Sequence, residues 1–145
     1  MIPYDMQFLD LGLPSGKLWA TENASLDGKD HFDFDEACKV FQDAMPTAED
    51  FQELYDECDW KWDDERKGYT VTGTNSNSIF LPASGSRHDS GLYYVGSSGY
   101  YWSRTANGTK DARSLAFWSG RLYPQSFSYR YYGFAVRLVN IRSKE

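Results

Sequence analysis

The sequence predicts an α+β fold, with two helices in its first half and short strands over the rest. Two amphipathic segments follow one another between residues 34 and 58, each after a residue able to cap a helix. Later, β-favouring stretches alternate with turns that contain glycine or proline, and 17% of all residues are aromatic. A chain of 145 residues with 41% hydrophobic residues suffices for one core, so we expect a single domain spanning residues 1–145.

The first predicted elements are two short strands separated by a turn. The segment FLDLGL, from Phe8, favours a strand and is followed by Pro14-Ser15-Gly16, which is typical of a tight turn. A second strand follows through Leu18-Trp19-Ala20, and residues 22–33 are polar and predicted to form a loop.

Both helices are predicted from apolar residues that recur on one helical face. Asp33 is the expected N-cap of the first helix, and Thr47, with Asp50 three residues later, of the second. The apolar faces comprise Phe34, Ala37, Cys38 and Phe41 in the first helix, and Phe51, Leu54, Tyr55 and Cys58 in the second. The acidic residues of the second helix are expected to form a solvated face.

Short strands are predicted over the remaining chain, with loops where glycine and polar residues collect. The strands are expected at residues 60–62, 69–73, 78–82, 100–103, 114–119 and 134–139, and the main loops at residues 84–99 and 105–111.

Charge is distributed unevenly along the chain, although the net charge is only −6. Residues 1–65 carry 18 acidic and 4 basic side chains, whereas residues 66–145 carry 3 acidic and 11 basic ones. The later arginines stand singly among aromatic residues, so no nucleic-acid track is expected, and two complementary halves of one fold are favoured.

Cysteine usage and hydropathy exclude several protein classes. Cys38 and Cys58 do not make a disulfide framework and include no CxxC pair, so reduced, partly buried thiols are expected and no zinc site. No apolar run reaches the length of a membrane span, so membrane insertion is not expected. Residues 1–5 do not resemble a signal peptide. The sequence by itself does not assign a localisation.

Residues 114–137, SLAFWSGRLYPQSFSYRYYGFAVR, are rich in aromatic and basic residues and contain no carboxylate. Side chains alternate between the two faces of a strand, and we expect Leu115, Phe117 and Phe127 to face the core. The outward set is then Ser114, Ala116, Trp118, Arg121, Tyr123, Ser126 and Ser128. In the last strand, Phe134, Val136 and Leu138 are expected inside, and Ala135 and Arg137 outside.

The composition of the outward set favours a binding surface. Tyr, Trp, Arg and Ser offer large contact areas or adaptable hydrogen bonds. Alternation alone leaves open a second reading, in which Trp118 and Tyr123 pack beneath the glycine-rich residues 84–99 and belong to the core.

Five segments of the chain, in order, resemble those of a known family: FLDLGLPSGKLWAT, MPTAEDFQELYDECDWKW, GYTVTGTNSNSIFLPASGSR, GYYWSRT and YGFAVRLV. They are similar to the Fibrobacter succinogenes major paralogous domain, which is abundant in gut Bacteroidetes and their phages. The resemblance implies a C-type-lectin-like fold with two helices and a mixed, mostly antiparallel sheet. Many members carry a longer insert where this chain has residues 21–46, so no contact made by that insert is implied.

The same fold occurs in target proteins of diversity-generating retroelements, in which ligand-facing residues near the C-terminus are varied. The resemblance places the outward set at such variable positions, between Trp102 and a tail like that of residues 133–137. It implies a ligand-binding face that a retroelement can diversify.

Neither an enzyme nor a metal-dependent lectin is expected from the motifs. His31 and His88 lie in polar stretches, and no GxSxG or HExxH occurs, so no catalytic residue is predicted. Residues 112–144 contain no carboxylate where the calcium ligands of a C-type lectin would be needed. No cofactor is expected, whereas sugar binding by aromatic stacking without a metal stays open.

The favoured function is a non-enzymatic module that binds a protein or glycan on a cell surface, with Trp118 and Tyr123 as anchors and Arg113 and Arg121 as orienting groups. The alternative is a structural or adhesin-tip domain, or a phage-fibre domain, whose aromatic face packs on neighbouring subunits. An extracellular, cell-surface or virion-surface location is favoured where a leader or carrier domain precedes the chain. The oligomeric state is left open.

Overall fold

The structure, a computed structural model of the chain, describes residues 6–141, which form an α+β fold with two α-helices and mostly antiparallel sheets. The expectation about residues 1–5 lies outside this range. The helices are α1 (Phe34–Phe41) and α2 (Ala48–Glu57), with a 3-10 turn at Gln42–Ala44 between them. The strands are β1 (Phe8–Asp10), β2 (Lys17–Ala20), β3 (Asp59–Asp63), β4 (Gly68–Thr72), β5 (Ser78–Pro82), β6 (Ser86–His88), β7 (Gly91–Tyr93), β8 (Ser98–Asn107), β9 (Asp111–Trp118), β10 (Arg121–Tyr129) and β11 (Val139–Ile141).

Both helix starts are confirmed at the residues that the sequence predicts. The Asp33 carboxylate accepts a hydrogen bond from the backbone N–H of Glu36 at 2.8 Å. At α2, the Thr47 hydroxyl accepts from the N–H of Asp50, whose carboxylate accepts from the N–H of Thr47. These bonds satisfy N–H groups that have no partner within the helix, so the caps fix where each helix begins.

The strands pair in small sheets, and every pairing between named strands in residues 6–141 is antiparallel. The sheets have the orders β1-β2-β11, β3-β4-β5, β8-β9-β10 and β6-β7. The longest strands, β8 to β10, form a meander in which β9 is central and β10 is an edge strand. An isolated parallel bridge joins Tyr101 of β8 to Ala135.

Two hydrophobic cores cover opposite faces of this meander. The first core contains Leu115 and Phe117 of β9, with Phe51 and Leu54 of α2 and residues from β4 and β5. The second core contains Trp102 of β8, Ala112 of β9 and the apolar face of α1, with Phe134, Val136 and Leu138. Because the central strand is packed on both faces, its residues 114–117 are all buried, including the polar Ser114.

Several predicted segments differ from the structure. The loop expected at residues 84–99 contains the β6–β7 hairpin, and β8 continues to Asn107 through part of the second expected loop. The strand predicted at residues 134–139 is not continuous in the structure. Residues 133–135 make isolated bridges, and β11 begins at Val139. These pairings join segments that are distant in sequence, so local composition does not reveal them.

Residues 133–138 are buried at every position, including the two expected outside. Arg137 is only 1% exposed, and its guanidinium donates to the carbonyls of Ala20 and Phe80 and to the amide oxygen of Asn23. Desolvation lowers the pKa of Arg137 from its usual value, while the nearby Tyr101 phenol opposes the shift. The prediction that Ala135 and Arg137 point outward is therefore wrong, because the tail lies between the two cores.

Candidate functional site

Three of the predicted site residues come together at the turn between β9 and β10. Trp118 and Arg121 are directly opposite each other in the ladder, and the rings of Trp118 and Tyr123 lie 5.4 Å apart. An Arg121 Nη donates to the Tyr123 hydroxyl at 3.4 Å. We call Trp118, Arg121 and Tyr123 the turn patch. Trp118 is 39% and Tyr123 40% exposed, so the turn patch presents two partly exposed rings and a guanidinium to solvent.

The turn patch is attached to the first core by a buried tyrosine. The hydroxyl of Tyr69, on β4, donates to the carbonyl of Trp118 and accepts from the N–H of Gly120, both at 3.0 Å. Gly120 has a φ of +82°, which glycine adopts without strain. The Tyr69 ring packs against Phe117 at 5.2 Å. The backbone of the sharp turn beside Trp118 is therefore held by core contacts.

Two other predicted site residues are buried, so their expected exposure is wrong. Ser114 and Ala116 are 1% and 5% exposed. They lie on the β9 face that packs on the second core, and Ser114 is paired with Trp102 of β8. The Ser114 hydroxyl has no hydrogen-bond partner there. Alternation correctly predicts that they lie on the face opposite Leu115 and Phe117, but that face is covered by the second core.

A β-bulge changes the direction of the side chains along β10. Tyr123 is opposite Ala116, yet Ser126 is opposite Ser114, so three steps of β10 match two of β9. Ser126 consequently shares a face with Tyr123, whereas Phe127 points to the other face. This is the face of Leu115 and Phe117, as predicted, but Phe127 is exposed, so the expectation that it packs in the core is wrong.

The remaining predicted residues are divided by this bulge. Arg113 pairs with Phe127 on the face opposite the turn patch, and its guanidinium lies 5.7 Å from the Phe127 ring. Ser126 and Ser128 are partly buried and lie on the turn-patch face. The predicted set thus does not form one continuous surface, and only Trp118, Arg121 and Tyr123 form a compact exposed group.

A second exposed aromatic surface was missed by the sequence reasoning. Ring contacts of 4.3–6.3 Å between centroids link its members in one series. This aromatic series consists, in spatial order, of Tyr129, Tyr131, Tyr132, His88, Tyr93 and Tyr94. Phe127, Tyr129 and Tyr131 at alternate positions were an available signal, but the contribution of the β6–β7 hairpin depends on long-range pairing.

Both histidines are held by specific contacts rather than solvated. His31 is buried, with Nδ1 2.9 Å from a carboxylate oxygen of Asp30 and Nε2 2.9 Å from the carbonyl of Ser84. His88 stacks on Tyr93, with ring centroids 4.3 Å apart and an 18° angle between planes. These contacts fix both rings within the fold.

Cys38 and Cys58 are free thiols and half-buried. Desolvation raises the pKa of Cys38, with a further rise from Asp35. Desolvation, followed by the carboxylates of Glu53 and Glu57, raises the pKa of Cys58 to about 11. Both thiols are therefore protonated near neutral pH and weak nucleophiles.

Within residues 6–141, no three His, Cys, Asp or Glu side chains are grouped as a metal site would require. In the same range no helix is both long and apolar enough to cross a membrane.

Comparisons of the chain with protein-family models, with curated proteins and with solved structures found no match. The family resemblance described above therefore stays a prediction.

Proposed function

We propose that this domain is a non-enzymatic binding module that recognises a protein or glycan on a cell surface through the turn patch. The observation that carries the proposal is the exposure of Trp118 and Tyr123 on a turn fixed to the core by Tyr69. Aromatic and arginine side chains often supply most of the energy of an interface. A surface already held in place loses little entropy on binding.

The charge around the turn patch favours a ligand that carries acidic groups. Residues 112–141 contain no Asp or Glu, and Arg121 is exposed, with a long hydrogen bond to the Tyr123 hydroxyl. Of the other arginines that sequence reasoning counted for this region, Arg137 is buried and Arg130 is bound to Asp35 and to backbone carbonyls. Arg121 is accordingly the orienting charge of the patch.

The test is retention of the domain on an array of glycans and purified bacterial surface proteins. Trp118→Ala is expected to weaken retention by about 30-fold or more while leaving the fold intact, since loss of an anchor ring costs roughly 2 kcal/mol. Tyr55→Ala is the matched control, because Tyr55 is also 40% exposed but lies on α2. Equal retention of Trp118→Ala and wild type, or no retention of wild type, would contradict the proposal.

Retroelement diversification is a separate part of the proposal. Positions 118, 121 and 123 have room for exchange, whereas Ser114 and Ala116 are enclosed by the second core. The test is the neighbouring DNA: a near-copy of the codons for residues 102–139 beside a reverse transcriptase gene supports diversification. A gene region lacking both would exclude it.

A second candidate is subunit packing in a fibre or adhesin tip, and one observation favours it. Leu92, Tyr93, Tyr94 and Val95 are consecutive and exposed at the β6–β7 hairpin. Sedimentation of the domain distinguishes the two functions. A stable oligomer that protects this hairpin or Trp118 supports subunit packing, and a monomer supports ligand binding.

A further inference from the structure

A cleft separate from the turn patch lies between the start of α1, the β8–β9 turn and the end of β10. Its volume is about 530 Å³, within the range of roughly 300–1,000 Å³ that is typical of small-molecule sites. The residues that matter for its chemistry are Asp35, Thr109, Lys110, Tyr129, Arg130 and Tyr131.

Two stacked tyrosine rings line the cleft. The rings of Tyr129 and Tyr131 are nearly parallel, with centroids 5.6 Å apart and 9° between planes. Tyr131 is 65% exposed, the highest value among the exposed large hydrophobic residues of the described range. Desolvation and the neighbouring Tyr132 raise the pKa of Tyr131, so its phenol is neutral and protonated near neutral pH.

Polar residues also line the cleft, and one of them, Arg130, is held in place by several contacts. This guanidinium donates to the carbonyls of Gly108 and Asp111 and to a carboxylate oxygen of Asp35, and it lies over the Phe34 ring. It therefore links the β8–β9 turn to α1 and fixes the outline of the cleft.

Other polar groups of the cleft retain hydrogen-bonding capacity. Asp35 is well exposed beside Arg130, and its second carboxylate oxygen makes no hydrogen bond within residues 6–141. Lys110 and Thr109 are exposed, and their side chains make no hydrogen bond or ion pair to the described part of the chain. The cleft thus offers a donor, an acceptor and a hydroxyl together with the exposed Tyr131 ring.

We propose that this cleft binds a neutral oligosaccharide, with one sugar ring lying on Tyr131. A pyranose presents an apolar C–H face that packs on an aromatic ring, while its hydroxyls donate and accept around the edge, as Asp35, Thr109 and Lys110 require. Because charges of both signs line the cleft, neither a strongly anionic nor a wholly apolar ligand is matched.

The site extends beyond a single sugar. Tyr129 also lines a neighbouring cleft of about 310 Å³, together with Asp111, Ser128 and Tyr132. A ligand that spans both clefts crosses the exposed edge of Tyr129, so a chain of at least two sugar units fits this arrangement better than a monosaccharide.

The experiment is calorimetric titration of the whole chain with cellotetraose, chitotetraose, maltotetraose, xylotetraose and mannotetraose. We expect saturable binding of at least one, weakened about tenfold or more by Tyr131→Ala and little changed by Tyr131→Phe, which keeps the ring. Lys110→Ala is expected to weaken binding by a smaller factor, and it removes no side-chain hydrogen bond or ion pair among residues 6–141. Tyr94→Ala, which removes a similarly exposed ring from the β6–β7 hairpin, is the matched control.

Trp118→Ala separates this proposal from the proposed function, because it removes the turn patch and is expected to leave oligosaccharide affinity unchanged. The cleft proposal is overturned if none of the five sugars binds, or if Tyr131→Ala and Tyr94→Ala have equal effects. It is also overturned if Trp118→Ala abolishes sugar binding while Tyr131→Ala does not.

Discussion

Strand β10 and residues 133–138 look alike in sequence but have opposite environments. Both contain one arginine and no carboxylate, with three aromatic residues in β10 and Phe134 in the tail. Along β10 exposed side chains alternate with partly buried ones, whereas residues 133–138 are buried throughout. Within residues 6–141, the edge strand β10 pairs with β9 alone, while the tail is bridged to Phe32, Arg87 and Tyr101 and lies between the two cores. The number of neighbours, rather than composition, decides which segment forms the surface.

The largest expected difference is between Phe134→Ala and Phe127→Ala. Phe134 is buried against Trp102, with ring centroids 4.3 Å apart, so its removal leaves a cavity in the second core. We expect Phe134→Ala to lower the free energy of unfolding by about 3–5 kcal/mol. Phe127 is 51% exposed, and its removal is expected to cost below about 0.5 kcal/mol. Urea unfolding measures both values, and equal losses would contradict the assignment of the two segments.

The same comparison applies to two arginines. Arg137→Met leaves the carbonyls of Ala20 and Phe80 and the amide oxygen of Asn23 without their donor. We expect a loss of about 3 kcal/mol or more from the free energy of unfolding, since buried acceptors that lose a charged donor are costly. Arg121→Met, at the exposed turn patch, is the control and is expected to unfold like wild type. An Arg137→Met protein as stable as the control would show that this guanidinium is not buried.

A smaller effect on stability is expected when pH is raised, because the half-buried thiol of Cys58 follows the acidic helix α2. Because burial and Glu53 and Glu57 raise its pKa from 9.0 to about 11, the folded state holds the proton more tightly than the unfolded state. This contribution to stability is complete below pH 9 and is lost as pH rises toward 11. Thiolate absorbance of Cys38→Ser should show a midpoint near 11 when folded and near 9 in urea. A folded midpoint near 9 would contradict the environment described for Cys58.

Ser114→Ala is expected to have the smallest effect and to be neutral or stabilising. The Ser114 hydroxyl is buried and has no hydrogen-bond partner among residues 6–141, so alanine removes a desolvation cost and leaves little space. We expect an increase of between zero and about 1 kcal/mol in the free energy of unfolding. A clear loss of stability would indicate a hydrogen bond to Ser114.

The elements predictable from sequence are those specified by nearby residues. The caps at Asp33 and Thr47 and the strand containing Trp60 and Trp62 depend on contacts within a few positions, and all three are confirmed. The turn at residues 119–120 is equally local, although the predicted strand ran one residue too far, to Ser119, and the sequence left the exposure of Trp118 open.

The errors concern contacts between distant segments. Burial of Ser114 and Arg137 results from a second core whose members come from the whole chain. Phe127 lies on the same face as Leu115 and Phe117, as predicted, but it is exposed because it is not part of the first core. The aromatic series also includes residues of the β6–β7 hairpin, and the glycine-rich sequence of that segment predicted a loop instead. Alternation predicts which residues share a face of a strand, but it does not predict whether another layer covers that face.

Hydroxyl-radical footprinting with mass spectrometry tests the central claim most directly, because it reports the solvent exposure of individual rings. The account predicts rapid oxidation of Trp118 and Tyr123 in the folded protein, with Trp102 and Tyr101 protected until denaturant unfolds the chain. Protection of Trp118 and Tyr123 equal to that of Trp102 would contradict it, since the turn patch would then belong to the core and could not serve as a binding surface.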